Sequence, residues 1–102
     1  MRAYEVTVDV EARLEAAFVR YMVDKHIPEI LGTGCFEAIR FETAGPGRYR
    51  TRYEAARAED LERYLAAHTE AFRADFATHF PEGCRPSRET WTQVQAWRAE
   101  AP

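Results

Sequence analysis

An α+β domain in the order strand, helix, strand, strand, helix, strand is predicted by three features of the chain. A strictly alternating run opens it, two apolar stripes at helical spacing occupy separate stretches, and Ala-Gly-Pro-Gly lies between two runs rich in aromatic and β-branched residues. This order is the split βαβ, ferredoxin-like arrangement βαββαβ: a four-stranded antiparallel sheet carrying both helices on one face. The 102 residues fit a single modest core, with one domain expected over residues 1–98 and a tail over 99–102.

Residues Arg2 to Val10 put Tyr4, Val6, Val8 and Val10 on one face and Ala3, Glu5, Thr7 and Asp9 on the other, as a half-buried strand does. From Glu11 the period changes, and Leu14, Ala17, Phe18, Tyr21 and Met22 form the stripe of an amphipathic helix. Pro28 lacks an N–H and disfavours a helical Ile27, so this helix is expected to stop near Lys25 or His26 and restart at Pro28. Gly32 and Gly34 offer positive-φ residues to close the restarted turn before a strand beginning at Cys35.

The runs Cys35 to Thr43 and Arg48 to Glu54 read as a hairpin around a loop of Gly45, Pro46 and Gly47. The apolar pattern selects Ile39 opposite Tyr53, Phe41 opposite Thr51 and Thr43 opposite Tyr49, because a slip of one residue would exchange the faces. Ala58 to Phe80 carries Leu61, Tyr64, Leu65, His68, Phe72, Phe76 and Phe80 at helical spacing, with a kink expected near His68 and Thr69. A final strand is expected over Arg88 to Trp97, with Thr90, Thr92, Val94 and Ala96 on one face and Trp91 and Trp97 on the other.

A net charge of −3 with acids and bases interspersed lacks the basic field that draws nucleic acid or anionic membranes. The apolar runs are short and Arg2 and Glu5 follow Met1 closely, so neither a membrane span nor a signal peptide is expected, and the cytoplasm is the default. Cys35 and Cys84 lack C-x-x-C spacing, and with strands ordered 4-1-3-2 they lie at opposite sheet edges, so both are expected to be free thiols.

The segments Y-E-V-T-V at 4 to 8, H-I-P-E-I-L-G-T-G-C-F at 26 to 36 and D-L-E-R-Y-L-A-A-H at 60 to 68 resemble the domain of unknown function 4286 family over nearly the whole chain. The family name supplies no activity. Its fold is similar to dimeric α/β-barrel proteins, in which two ferredoxin-like units press their open sheet faces together around a cavity. Some of these are cofactor-free monooxygenases or isomerases. The resemblance thus implies a homodimer.

His26 is the candidate catalytic residue, as a general base with Glu29 as its orienting acid, or else it caps the helix break. Asp24, His26 and Glu29 have no established ligand spacing, so no metal is expected, and no cofactor. His68, His79, Tyr49, Tyr53, Phe72 and Phe76 read as structural. The hairpin register sets Arg40 opposite Arg52 on the face without helices, where Glu5, Glu42 and Glu54 could neutralise them, or where one arginine could hold an anion. Phe36, Trp91 and Trp97 are expected on that same face as a partner surface or ligand wall. The preferred function is a non-enzymatic homodimer joined through the open sheet face and binding a small anionic or aromatic ligand, with Arg40, Arg52, Trp91 and Glu29 as ligand contacts. The alternatives are a cofactor-independent enzyme acting on a small aromatic or carbonyl compound, and a heteromeric interaction module.

Overall fold

Alternation in the first run does fold as a strand: β1 (Arg2–Val10) lies in the middle of the sheet with Tyr4, Val8 and Val10 buried. The computed structural model describes residues 1–100 and gives the antiparallel strand order β2-β3-β1-β4, with β2 spanning Ala38–Gly45, β3 Arg48–Ala55 and β4 Cys84–Thr92. This is the ferredoxin-like α+β topology. Tyr4, Val8, Val10, Tyr53 and Phe18 join the helices to one sheet face, and the other face is left open. No helix among the described residues is long and apolar enough to cross a membrane.

The first helical arm departs from its expected shape. A 3₁₀ turn (Ala12–Leu14) leads into α1 (Glu15–Tyr21), a π-helical turn (Met22–His26) and α2 (Ile27–Leu31), with no break. Ile27 precedes a proline yet stays helical at φ −64°, ψ −47°, and its N–H bonds the Met22 carbonyl five residues back. That longer step widens the turn where an α-helix would press the Pro28 ring on the Asp24 carbonyl. Pro28 therefore shapes the helix instead of ending it, and His26 sits inside the helical rod, not at a break.

Gly32 closes α2 with an ordinary φ of −63°, and the left-handed residue is Gly34 at φ +75°. Thr33 Oγ1 donates to the Ile30 carbonyl at 2.7 Å and accepts from the Cys35 N–H at 3.3 Å, holding a loop that delays β2 to Ala38. Phe36 is consequently not on the open face: it is buried under the helices, with ring centroids 5.3 Å from Tyr53 and 4.8 Å from Tyr64. Cys35 is buried, Cys84 half-buried, and both are free.

The hairpin has the register that the apolar pattern selects, including Ile39 to Tyr53 and Arg40 to Arg52, with a bulge between Thr43 and Gly45 at its end. Gly47 is required at φ +80°, where an added Cβ would also come within 3.1 Å of the Val10 carbonyl. The second arm is kinked at His68, which has φ −124° between α3 (Ala58–Ala67) and α4 (Thr69–His79).

The last strand starts four residues and ends five residues earlier than expected. Pro86 pairs with Val8 inside β4, which an edge strand tolerates because one of its sides needs no ladder bonds. Trp91 stays on the open face, opposite Ala3, but Val94 and Trp97 follow the strand and are 99% and 82% exposed. Residues 93–100 form no regular element, and 101–102 of the expected tail lie outside the described residues.

Candidate functional site

Helices cover β1, β3 and β2 more fully than β4. Cys84 is half-buried, every other β4 residue is exposed, and α4 has no buried residue, so a cleft opens between α4 and β4. It holds about 430 Å³ including its open mouth. Its deep part is narrow, with only about 40 Å³ open to the centre of a water molecule. That is room for a few waters, so a ring enters only if α4 shifts. The walls are aromatic, from Tyr4, Tyr53, Tyr64 and Phe72, and the polar groups are His26 from the π turn, Thr69, Arg73 and Arg88.

His26 reaches the cleft because of the π turn. In an α-helix, residues five apart point about 140° away from each other. The i to i+5 step instead brings His26 back over Tyr21, with stacked rings 5.2 Å apart and Nδ1 3.1 Å from the Tyr21 hydroxyl. Tyr21 donates its only proton to Asp75 Oδ2 of α4 at 2.7 Å. The Tyr21 oxygen must then accept from His26 Nδ1–H, which fixes the tautomer and leaves Nε2 as a bare acceptor.

The electrostatics agree with a neutral ring. Burial pushes the imidazole down to about 4, against the opposing pull of the Asp75 and Glu29 carboxylates. Burial, then the hydrogen bond to Asp75, raises the Tyr21 phenol, so it stays protonated. The Tyr21 bond, joined by Lys25 Nζ at 3.1 Å, holds the Asp75 carboxyl below its usual range. Tyr53 and Tyr64 are likewise raised, chiefly by burial, and remain neutral phenols. A neutral acceptor beside aromatic walls can take a hydrogen bond from a hydroxyl, or a proton from an acidic one.

Of the catalytic and ligand-contact candidates His26, Glu29, Arg40, Arg52 and Trp91, only His26 lines this cleft, while Tyr53, Phe72 and Phe76, expected to be structural, help to wall it. Glu29 pairs with Lys25 at 3.2 Å, and the group oriented against His26 is Tyr21. Arg40, Arg52 and Trp91 lie on the open face. There Arg40 is 3.7 Å from Glu54, and Arg52 is 3.1 Å from Glu54 and 3.3 Å from Glu5. This is the neutralisation by interleaved acids that the register allows. A larger concavity near the hairpin on this face, about 810 Å³ including its open mouth, is lined by Glu5, Glu42, Arg48 and Arg50, and Arg50 bonds Glu42 at 2.8 Å. His79 lies with its ring tilted and 4.6 Å from that of Tyr21, and His68 stacks on Tyr64. No group of three potential metal ligands occurs among the described residues.

Tyr21 and Asp75 escape a reading of the sequence because they are 54 residues apart. Tyr21 reads as one more apolar-stripe residue, and the available signal is Asp75 standing between Phe72 and Phe76, on a stripe that otherwise faces inward.

A family model described as Domain of unknown function (DUF4286) matches residues 1–94. No curated protein matches the sequence. Among solved structures, the chain is similar to a monooxygenase from the gene ActVA-Orf6 of Streptomyces coelicolor in complex with nanaomycin D, with TM-score 0.74, 13% identity, and 97% of this chain and 92% of that one covered. It is also similar to the NE2512 protein of unknown function from Nitrosomonas europaea, with TM-score 0.72, 18% identity, and 98% and 95% covered. At these identities the likeness is one of fold.

Proposed function

The chain belongs to the DUF4286 family, whose description carries no activity, and from its site we propose a homodimeric domain that binds a small hydroxylated aromatic molecule in the cleft between the helices and the sheet. The observation that carries this reading is the neutral His26, whose Nδ1 is committed to Tyr21 and whose Nε2 is left free beside aromatic walls. A ligand hydroxyl donates to Nε2 while its ring packs among the tyrosines. The open face serves the second copy. Arg40, Arg50 and Arg52 on it are already paired with carboxylates, and Trp91, 49% exposed, is its large apolar anchor. Arg40, Arg52 and Trp91 then act through the dimer, and Glu29 acts through Lys25 at the outside of the helix.

A melting experiment with 1-naphthol tests the reading. Millimolar naphthol is expected to raise the wild-type midpoint by a few degrees and to leave His26→Phe unmoved. Equal shifts in both proteins would reject the role of His26.

A second reading, a cofactor-independent enzyme, is supported by the same free Nε2 and by the name of the Streptomyces relative, a monooxygenase. It requires His26 to take a proton from a phenol, and a base that protonates near pH 4 does so weakly. Dioxygen uptake with 1-naphthol, present in the wild type and lost in His26→Phe, would place it first.

A further inference from the structure

Two cations line the cleft with no anion to answer them. On the open sheet face Arg40, Arg48, Arg50 and Arg52 each lie within 3.9 Å of a carboxylate. Arg73 and Arg88 make no ion pair among the described residues, and no aspartate or glutamate lines the cleft, in a chain whose net charge is −3. Arg73 Nη2 donates to the Tyr4 hydroxyl at 3.1 Å, which turns its guanidinium toward the sheet. The charge of Arg73 reaches the Tyr64 phenol and that of Arg88 the Tyr53 phenol, each partly offsetting the effect of burial. On the same face of β1, two residues before Tyr4, Arg2 keeps a buried Nε with no hydrogen-bond partner. Positive charge thus gathers where α4 faces β4, with no carboxylate among the residues that line the cleft.

From this asymmetry we infer that the ligand is a small aromatic acid, its carboxylate held at the cleft mouth by Arg73 and Arg88 and its ring lying among Tyr4, Tyr53, Tyr64 and Phe72. The inference rests on the reading of the cleft as the ligand site and adds the ligand's charge. Both arginines are exposed, so the carboxylate keeps part of its hydration while the ring is buried. Guanidinium matches a carboxylate with two parallel donors, which a neutral ester cannot exploit as well.

Isothermal titration of the full chain with 4-hydroxybenzoate and with its methyl ester separates charge from ring and hydroxyl. The acid is expected to bind about tenfold or more tightly than the ester, a preference of the size that charged hydrogen bonds provide. Arg88→Gln is expected to remove most of that preference and Arg73→Gln the remainder, with ester affinity held within about twofold. Arg73→Lys, which keeps the charge, is expected to retain part of it. Equal binding of acid and ester by the wild type would overturn the anion inference and leave the cleft reading standing. A preference that survives Arg88→Gln and Arg73→Lys unchanged would also overturn it, by placing the anion elsewhere. Failure of both compounds to bind would overturn both readings.

Discussion

His26 stays neutral in the folded protein until the pH falls to about 4, whereas an unfolded histidine takes up its proton near 6.5. Above pH 6.5 both states are neutral and the stability is undiminished. Between 6.5 and 4 the unfolded chain binds the proton that the folded chain refuses, so stability declines by up to about 3 kcal/mol. Urea unfolding at pH 7 and pH 4.5 is expected to show this decline in the wild type and not in His26→Phe. Protonation of Asp75 belongs to lower pH, because its folded carboxyl lies below the ordinary value. Tyr21→Phe removes both the donor to Asp75 and the acceptor for His26 Nδ1–H. We expect it to cost about 1–2 kcal/mol in urea unfolding and to erase the Nδ1–H tautomer signal in imidazole nitrogen spectra. An unaltered tautomer would refute the donor order running from His26 through Tyr21 to Asp75. His26 was legible in the sequence as a histidine beside a proline. Its partners were not, because a side-chain pair formed across 54 residues leaves no local pattern.

The helical arms differ in how firmly they are held. Leu61 and Tyr64 bury α3, and Phe18 and Tyr21 bury α1, whereas α4 buries none of its residues and meets α3 at the kinked His68. Native-state hydrogen exchange is therefore expected to open α4 at lower free energy than α1 or α3, and ligand is expected to slow it selectively. Uniform exchange across the three would contradict α4 as the moving wall of the cleft. Pro28→Ala probes the π turn. Returning it to an α ladder would rotate α2 and take Ile30, 1% exposed, out of the core, so the turn is expected to persist and stability to change by less than about 1 kcal/mol. Loss of the Tyr21 to His26 contact in that variant would show that proline, not packing, holds the turn. Local sequence rules placed the hairpin register and the kink at His68 correctly, because side-chain alternation and apolar spacing report on them directly. The same rules misplaced β4, because the alternation they follow runs on to Trp97 past the end of the strand at Thr92, and invented a helix break, because the π turn removes the penalty of Pro28.

At the scale of the molecule, the fold class and strand order followed from element order alone, while the open face proved more polar than expected once Phe36 went into the core and Trp97 left the sheet. Its charge is nevertheless polarised. Arg40, Arg48, Arg50 and Arg52 outweigh Glu42 and Glu54 on β2 and β3, and Glu5, Asp9 and Glu89 outweigh Arg85 on β1 and β4. A two-fold axis parallel to the strands sets one half over the other half of a second copy. Sedimentation at micromolar concentration is expected to give a dimer that weakens in high salt and dissociates in Trp91→Glu; a wild-type monomer would contradict the pairing. The two faces also offer two places for a ligand, and only the cleft combines a free acceptor, unpaired arginines and aromatic walls. Amide and side-chain chemical shifts followed during titration with 4-hydroxybenzoate decide between them: changes centred on His26, Thr69, Phe72 and Arg88 are the result predicted, and changes centred on Arg40, Arg52 and Trp91, with His26 unmoved, would contradict it.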